Sequence, residues 1–155
     1  MTLCEKYIKH CSGCGYCSTE KPGLCVIKDD MQEIFPLMVN FPFHIYLSPL
    51  SFGGYNSELK KVVDRYSALG LPTYTIRNGE LHHPPRYDNP EKFMAIGILD
   101  KENKEQKETF KLLSKRSAIS CFASKASTVV FEQNEDRTII KDKIIKGFSE
   151  MELML

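Results

Sequence analysis

Four cysteines fall between positions 11 and 25, in the run Cys11-Ser-Gly-Cys14-Gly-Tyr-Cys17 followed by Cys25. The stretch from His10 to Val26 is rich in Gly and turn formers and reads as a loop, around which the rest of the fold has to be arranged. In a reducing compartment such crowding argues for metal, cluster or redox chemistry rather than structural disulfides. A four-iron cluster needs four thiolates converging from one small region, and three cysteines at two-residue separation supply three from one segment. Gly13, Gly15 and Gly23 allow backbone angles that other residues resist. Four thiolates also suit tetrahedral zinc, although zinc ligands more often come as two separated pairs. Free or redox-active thiols are the third reading. Cys11, Cys14, Cys17 and Cys25 are therefore the candidate metal ligands, while Cys4 and Cys121 read as buried small hydrophobes.

Composition narrows the function. With 21 basic and 20 acidic residues the formal net charge is +1, which gives no electrostatic footprint for nucleic acid or an anionic membrane. The longest apolar stretches, around Ile34 to Leu50, are broken by Asn40, His44 and prolines and are too short to cross a bilayer. Met1 to His10 lacks a basic-then-apolar leader, so the expected location is the cytoplasm. At 155 residues, with no internal repeat, the chain is read as a single domain over 1–155.

Along the chain, strand and helix signals alternate. Thr2 to Ile8 is expected to be a strand entering the cysteine loop. Asp29 and Asp30 open a helix to about Asn40, with Asp29 as cap and Gln32 as capping-box partner, and with Pro36 inside it. Phe43 to Leu47 reads as a buried strand ending at Ser48-Pro49. A Gly-containing loop, Leu50 to Asn56, leads to a helix from Ser57 to Leu69, whose face carries Leu59, Val62, Val63, Tyr66 and Leu69 and which Gly70 stops. Thr73 to Pro90 reads as a long loop. Phe93 to Leu99 is a second buried strand, and Asn103 with Gln106 opens a helix to about Arg116. Ile119 to Phe122 and Thr128 to Phe131 are strand candidates. Ile140, Ile144, Phe148 and Met151 mark a C-terminal helix at about 137–152. The alternation predicts an α/β sandwich with a mostly parallel sheet, whose ligand sites lie where strands lead into helices.

Several segments, in this order, resemble the flavodoxin-like NAD(P)H-dependent FMN reductases, particularly their iron–sulfur flavoprotein branch. They are the cysteine run; Lys21-Pro-Gly-Leu-Cys25 through Met31; Ser48-Pro49-Leu50-Ser51-Phe52-Gly53; Leu59 to Arg65; and His83-Pro-Pro-Arg86-Tyr87. The resemblance covers about residues 1 to 131. It implies a flavodoxin-like sandwich, FMN lying against Ser48, Pro49, Leu50, Ser51, Phe52 and Gly53, NAD(P)H as substrate, and a 4Fe-4S cluster on the cysteine loop. The family places a Tyr where Ser51 stands. This chain opens at what corresponds to the family's second strand, so the first strand, phosphate-binding loop and first helix are expected to be absent. Either the remaining strands close up in a rearranged sheet or, as favoured here, a replacement strand comes from a second copy, as a homo-oligomer, or from a partner chain. The resulting expectation is a flavin-dependent NAD(P)H oxidoreductase or one of its subunits. The alternative is a non-catalytic metal-, cluster- or partner-binding module, or a truncated remnant unable to bind FMN alone. Asp64 and Arg65 read as a helix-surface pair, and His82, His83 and Arg86 as residues of an exposed loop.

Overall fold

The computed structural model describes residues 1–87 and 92–152. Its chain forms two compact units, Met1–Pro42 with Ser57–Asn89, and Phe43–Asn56 with Pro90–Leu155.

The second unit is an α/β layer built on parallel strands. Its strands are β1 (Phe43–Ser51), β2 (Gly54–Tyr55), β5 (Lys92–Leu99) and β6 (Lys125–Glu132), in the spatial order β2-β1-β5-β6. β1, β5 and β6 run parallel, with Ile45 beside Met94 and Met94 beside Ser127. β2 folds back antiparallel and meets β1 only through Leu50–Tyr55 and Ser51–Gly54. β5 is the central strand, and Phe93, Met94 and Ala95 have no exposed surface. That near-continuous apolar run is what a parallel strand covered on both faces requires.

Two helices of this unit follow from their caps and faces. α4 (Lys104–Ser120) opens where the sequence predicts, with the Asn103 side chain accepting from the Gln106 N–H at 3.0 Å. It brings Phe110 onto one sheet face, edge-on to Tyr55 at 5.5 Å, and its Ser114 hydroxyl hydrogen-bonds Thr128 of β6 at 2.7 Å. α5 (Arg137–Glu150) is capped by Asp136 and covers the opposite face, where Ile144 and Phe148 pack with Met151 on Met94, Ile96 and Val129. Over β1 this same face is open: Ile45 is 42% and Leu47 59% exposed.

Several expectations need correction here. Ile119 to Phe122 is not a strand, because α4 continues to Ser120 and ends only where Phe122 takes φ 57°. The Phe122 and Ala123 N–H groups then bond back to Ile119 and Ala118, a terminus usually reserved for Gly. β6 in consequence begins at Lys125, ahead of the expected Thr128. β1 also runs further than expected, through Ser51 rather than stopping at Ser48-Pro49.

In the first unit, α1 (Tyr16–Thr19) is a single turn, followed by α2 (Met31–Asn40) and α3 (Ser57–Asp64), which tightens into a 3-10 helix over Arg65–Leu69. α2 buries Met31, Ile34 and Met38 on one face, with Pro36 inside it. α3 buries Leu59 and Val62. The expected Thr2 to Ile8 strand is replaced by a 3-10 turn at Leu3–Glu5 and an extended segment whose partners are carboxylates rather than another strand. Gly70 stops the preceding helix without a left-handed turn, at φ −87°. The stretch expected to be a loop from Thr73 contains a hairpin, β3 (Thr75–Arg77) and β4 (Glu80–His82). Its turn residues Asn78 and Gly79 have φ 52° and 78°, the Asn-Gly signature of a two-residue hairpin. Positions 88–90 of that stretch lie outside the described residues.

No helix among the described residues is long and apolar enough to cross a membrane. Replacing Asn103 by Ala removes the α4 cap and is expected to cost about 1 kcal/mol, read as a lowered midpoint in thermal denaturation with helical content at low temperature unchanged.

Candidate functional site

Within the first unit, Cys11, Cys14, Cys17 and Cys25 all line one cavity of about 210 Å³, together with Tyr16, Ile27, Arg65 and Ser67. The chain reaches this arrangement through left-handed turns at Gly13 and Gly15, with φ 67° and 71°, a conformation side chains resist. Gly15 precedes α1, which carries Cys17; the Gly23 N–H then bonds the Cys17 carbonyl at 3.1 Å and turns the chain back toward Cys25. Cys17 Sγ lies 3.9 Å from the Ser67 hydroxyl.

None of the six cysteines forms a disulfide, and Cys4 is exposed and Cys121 half-buried rather than buried as expected. The Cys14 thiol is held below its ordinary range by the Tyr16 N–H first and the Ser12 hydroxyl second, which favours the thiolate that binds metal. Among the described residues, no group of three or more His, Cys, Asp or Glu side chains is gathered closely enough to hold a metal ion. The donor chemistry, four thiols around one cavity, fits an iron–sulfur or zinc centre; the thiol positions are those of an open loop.

Beneath this loop sits a feature that the sequence reading misassigned. Arg65 is 2% exposed, not a surface partner of Asp64, which instead pairs with Lys60. The Arg65 Nη1 donates to both oxygens of the buried Asp29 at 2.8 and 2.7 Å, and Nη2 to the Ile27 carbonyl at 3.3 Å. Asp29 also accepts from the Lys9 N–H at 2.8 Å and the Met31 N–H at 3.1 Å. The N-cap position of α2 is Asp30 rather than the expected Asp29, which still accepts from the Met31 N–H, while Gln32 departs from the expected capping box and donates to the Ile27 carbonyl at 3.2 Å. Burial alone would push the Asp29 carboxyl up; the Arg65 hydrogen bonds, the two N–H donors and the guanidinium charge outweigh it and hold the group below its usual range. A signal for this pair was present, since Arg65 lies three residues after Val62 on the buried face of its helix.

His82, at the end of β4, His83 and Arg86 are half-buried rather than exposed. His83 Nδ1 is 3.0 Å from the Thr73 carbonyl, Arg86 Nη2 donates to the Gly70 carbonyl at 3.0 Å, and His82 Nε2 is 3.4 Å from Glu80.

The expected flavin loop belongs to the second unit. Ser48, Pro49, Leu50 and Ser51 lie in β1, and Phe52-Gly53 form the turn to β2 with φ 51° and 75°. The Ser48 hydroxyl is wholly buried, donating to the Pro49 carbonyl at 2.7 Å and accepting from the Asn56 N–H at 2.9 Å, so it holds the hairpin closed. The Gly53 N–H donates to the Gln106 side chain of α4 at 3.3 Å. A Cβ at Gly53 would stand 2.7 Å from that of Thr109, so Gly is required by contact as well as by φ. Phe52 is 94% exposed at the tip, a non-Gly residue in a conformation costing about 1–2 kcal/mol.

The chain is thus an α/β protein whose second unit holds a mostly parallel sheet and whose first unit holds a cavity lined by four thiols. In sequence it is similar to proteins named iron–sulfur flavoproteins: 36% identical over 78 residues to one from Methanocaldococcus jannaschii, covering 50% of this chain and 39% of the relative. Those from Archaeoglobus fulgidus and Methanosarcina thermophila are 32% identical over 80 residues and 34% over 76, covering 52% and 49% of this chain and 40% and 39% of theirs. The chain spans about two fifths of the length of the curated relatives it matches. No protein-family model and no solved structure matches it.

Asp29→Asn leaves Arg65 buried without its counter-charge and is expected to cost about 3–5 kcal/mol at neutral pH. Because the folded Asp29 titrates below its unfolded value, its stabilisation is complete above about pH 4–5 and is lost as pH falls through the lowered folded value. The stability gap between wild type and D29N, measured by denaturant unfolding across pH, should therefore narrow on acidification.

Proposed function

We propose that this chain acts in flavin-dependent electron transfer from NAD(P)H, with FMN taken against the Ser48-to-Gly53 segment and a 4Fe-4S cluster on Cys11, Cys14, Cys17 and Cys25. The carrying observation is that four cysteines, spread over 15 positions, line one cavity in a chain similar to iron–sulfur flavoproteins. When bound, the flavin supplies hydride acceptance and one-electron donation, and the cluster supplies one-electron transfer. This chain's own contributions are recognition and orientation. The exposed Phe52 ring offers an apolar face beside a turn whose Gly53 N–H is fixed by Gln106. The cysteine loop offers four soft ligands with glycines at its turns.

Association also belongs to this proposal, either with a second copy or with a partner chain that extends the sheet. It is supported by the short β1–β2 ladder and by exposed Ile45 and Leu47 on β1. Native mass spectrometry should show more than one chain per particle; a stable monomer at micromolar concentration removes this element. A cytoplasmic location completes the proposal.

The chain purified without oxygen should carry iron, acid-labile sulfide and FMN, with flavin absorption that bleaches on adding NAD(P)H. Iron and sulfide without flavin reduce the proposal to an electron-transfer module. A colourless chain holding zinc or no metal overturns it in favour of a structural or binding module. Cys14→Ser is expected to lower iron content at least severalfold while leaving the fold of the second unit, followed by hydrogen exchange, in place.

A further inference from the structure

The cysteine loop accounts for a negative centre, and the structure places a positive group against it. Arg65 lines the cavity with the four cysteines, although it is 2% exposed, and its Nε–H has no acceptor among the described residues. Both terminal nitrogens are engaged. Nη1 holds Asp29 and reaches the Lys9 carbonyl at 3.4 Å, Nη2 reaches the Ile27 carbonyl, and the guanidinium lies 5.9 Å from the centre of the Phe35 ring. Asp29 itself is not part of the cavity lining. The ion pair is therefore oriented, with its cationic end toward the thiols and its carboxylate toward the start of α2.

A buried cation needs a counter-charge, and Asp29 satisfies that need. Stability alone leaves two features unexplained: the guanidinium on the cavity wall and the unused Nε–H. A cluster on four thiolates is anionic, and reduction adds one more negative charge to it. Hydrogen bonds to its sulfurs and nearby positive charge set its potential. A fixed cation on the wall favours the more negative, reduced form, and the burial of Arg65 itself limits how far solvent screens it.

We propose that Arg65 is a positioning residue for the four-thiolate centre, donating its Nε–H to a sulfur there and raising the centre's reduction potential. This rests on the cluster reading given above. One electron enters or leaves the cluster; no bond or proton changes at Arg65, which stays charged throughout.

The test uses the full chain, reconstituted anaerobically with iron and sulfide and titrated electrochemically with the cluster's electron paramagnetic resonance as readout. The pair is removed together, as Arg65→Met with Asp29→Leu, so that no buried charge is orphaned. The double variant should load the same iron and sulfide per chain, yet show about a tenfold lower ratio of reduced to oxidised cluster at a fixed potential, about 59 mV for one electron. Lys60→Met, which removes an exposed cation from the same helix, should leave the potential unchanged. A loaded double variant with the wild-type potential overturns the inference and leaves the cluster reading standing. If the double variant does not fold, R65K decides: it retains charge and partner but lacks the Nε–H, so its potential should fall by a smaller amount, and an unchanged potential overturns the inference. Failure of the wild-type chain to take up iron and sulfide overturns the cluster reading itself and this inference with it.

Discussion

The Asp29 carboxylate is the point on which the first unit is organised. It accepts from the main chain at Lys9 and Met31 and from Arg65, and so joins the segment before the cysteine loop, the start of α2 and the 3-10 turn after α3. The neighbouring Asp30 repeats the device, accepting from the Tyr7 N–H at 2.8 Å. Two adjacent acids therefore bind an extended strand-like segment through its main chain. The cysteine loop hangs between these anchors: Lys9 precedes Cys11, and Ile27, which accepts from Arg65, follows Cys25 by two residues. A loop with three left-handed glycines has little backbone preference of its own, so its ends must be fixed by something charged and dry.

The second unit solves a different problem. Its parallel strands need cover on both faces, and α4 and α5 supply it over β5 and β6. The turn at Phe52-Gly53 is fixed on the α4 side by a backbone-to-glutamine bond and by contact with Thr109. Aromatic rings reinforce that side, with Tyr46 edge-on to Phe93 at 5.1 Å and Tyr55 edge-on to Phe110. Support of this kind, a rigid turn on a packed sheet edge, is what placing a planar ligand would demand.

Much of this was legible in the sequence because the governing interactions are local. Asn103 and its bond to Gln106, the inward stripe of Ile144, Phe148 and Met151, and the apolar run Phe93 to Leu99 all announce themselves within a few residues. Arg65 was misread because its partner lies 36 positions away, and an Arg next to an Asp on a helix looks like surface chemistry. The first segment was misread for the same reason, since side chains 20 or more positions away, not a neighbouring strand, satisfy its backbone. The hairpin at Asn78-Gly79 was available from its turn dipeptide. The end of α4 was not, because a Phe in a left-handed terminus contradicts every local preference.

Phe52 carries the same contradiction as Phe122, but with its side chain almost wholly in solvent. Glycine or asparagine would hold that turn with less backbone strain and less exposed oil, so a laboratory population ranked by heat resistance alone would drift away from the aromatic ring there. Tolerance to heating and occupancy of position 52 by Phe are thus expected to be opposing traits in this chain.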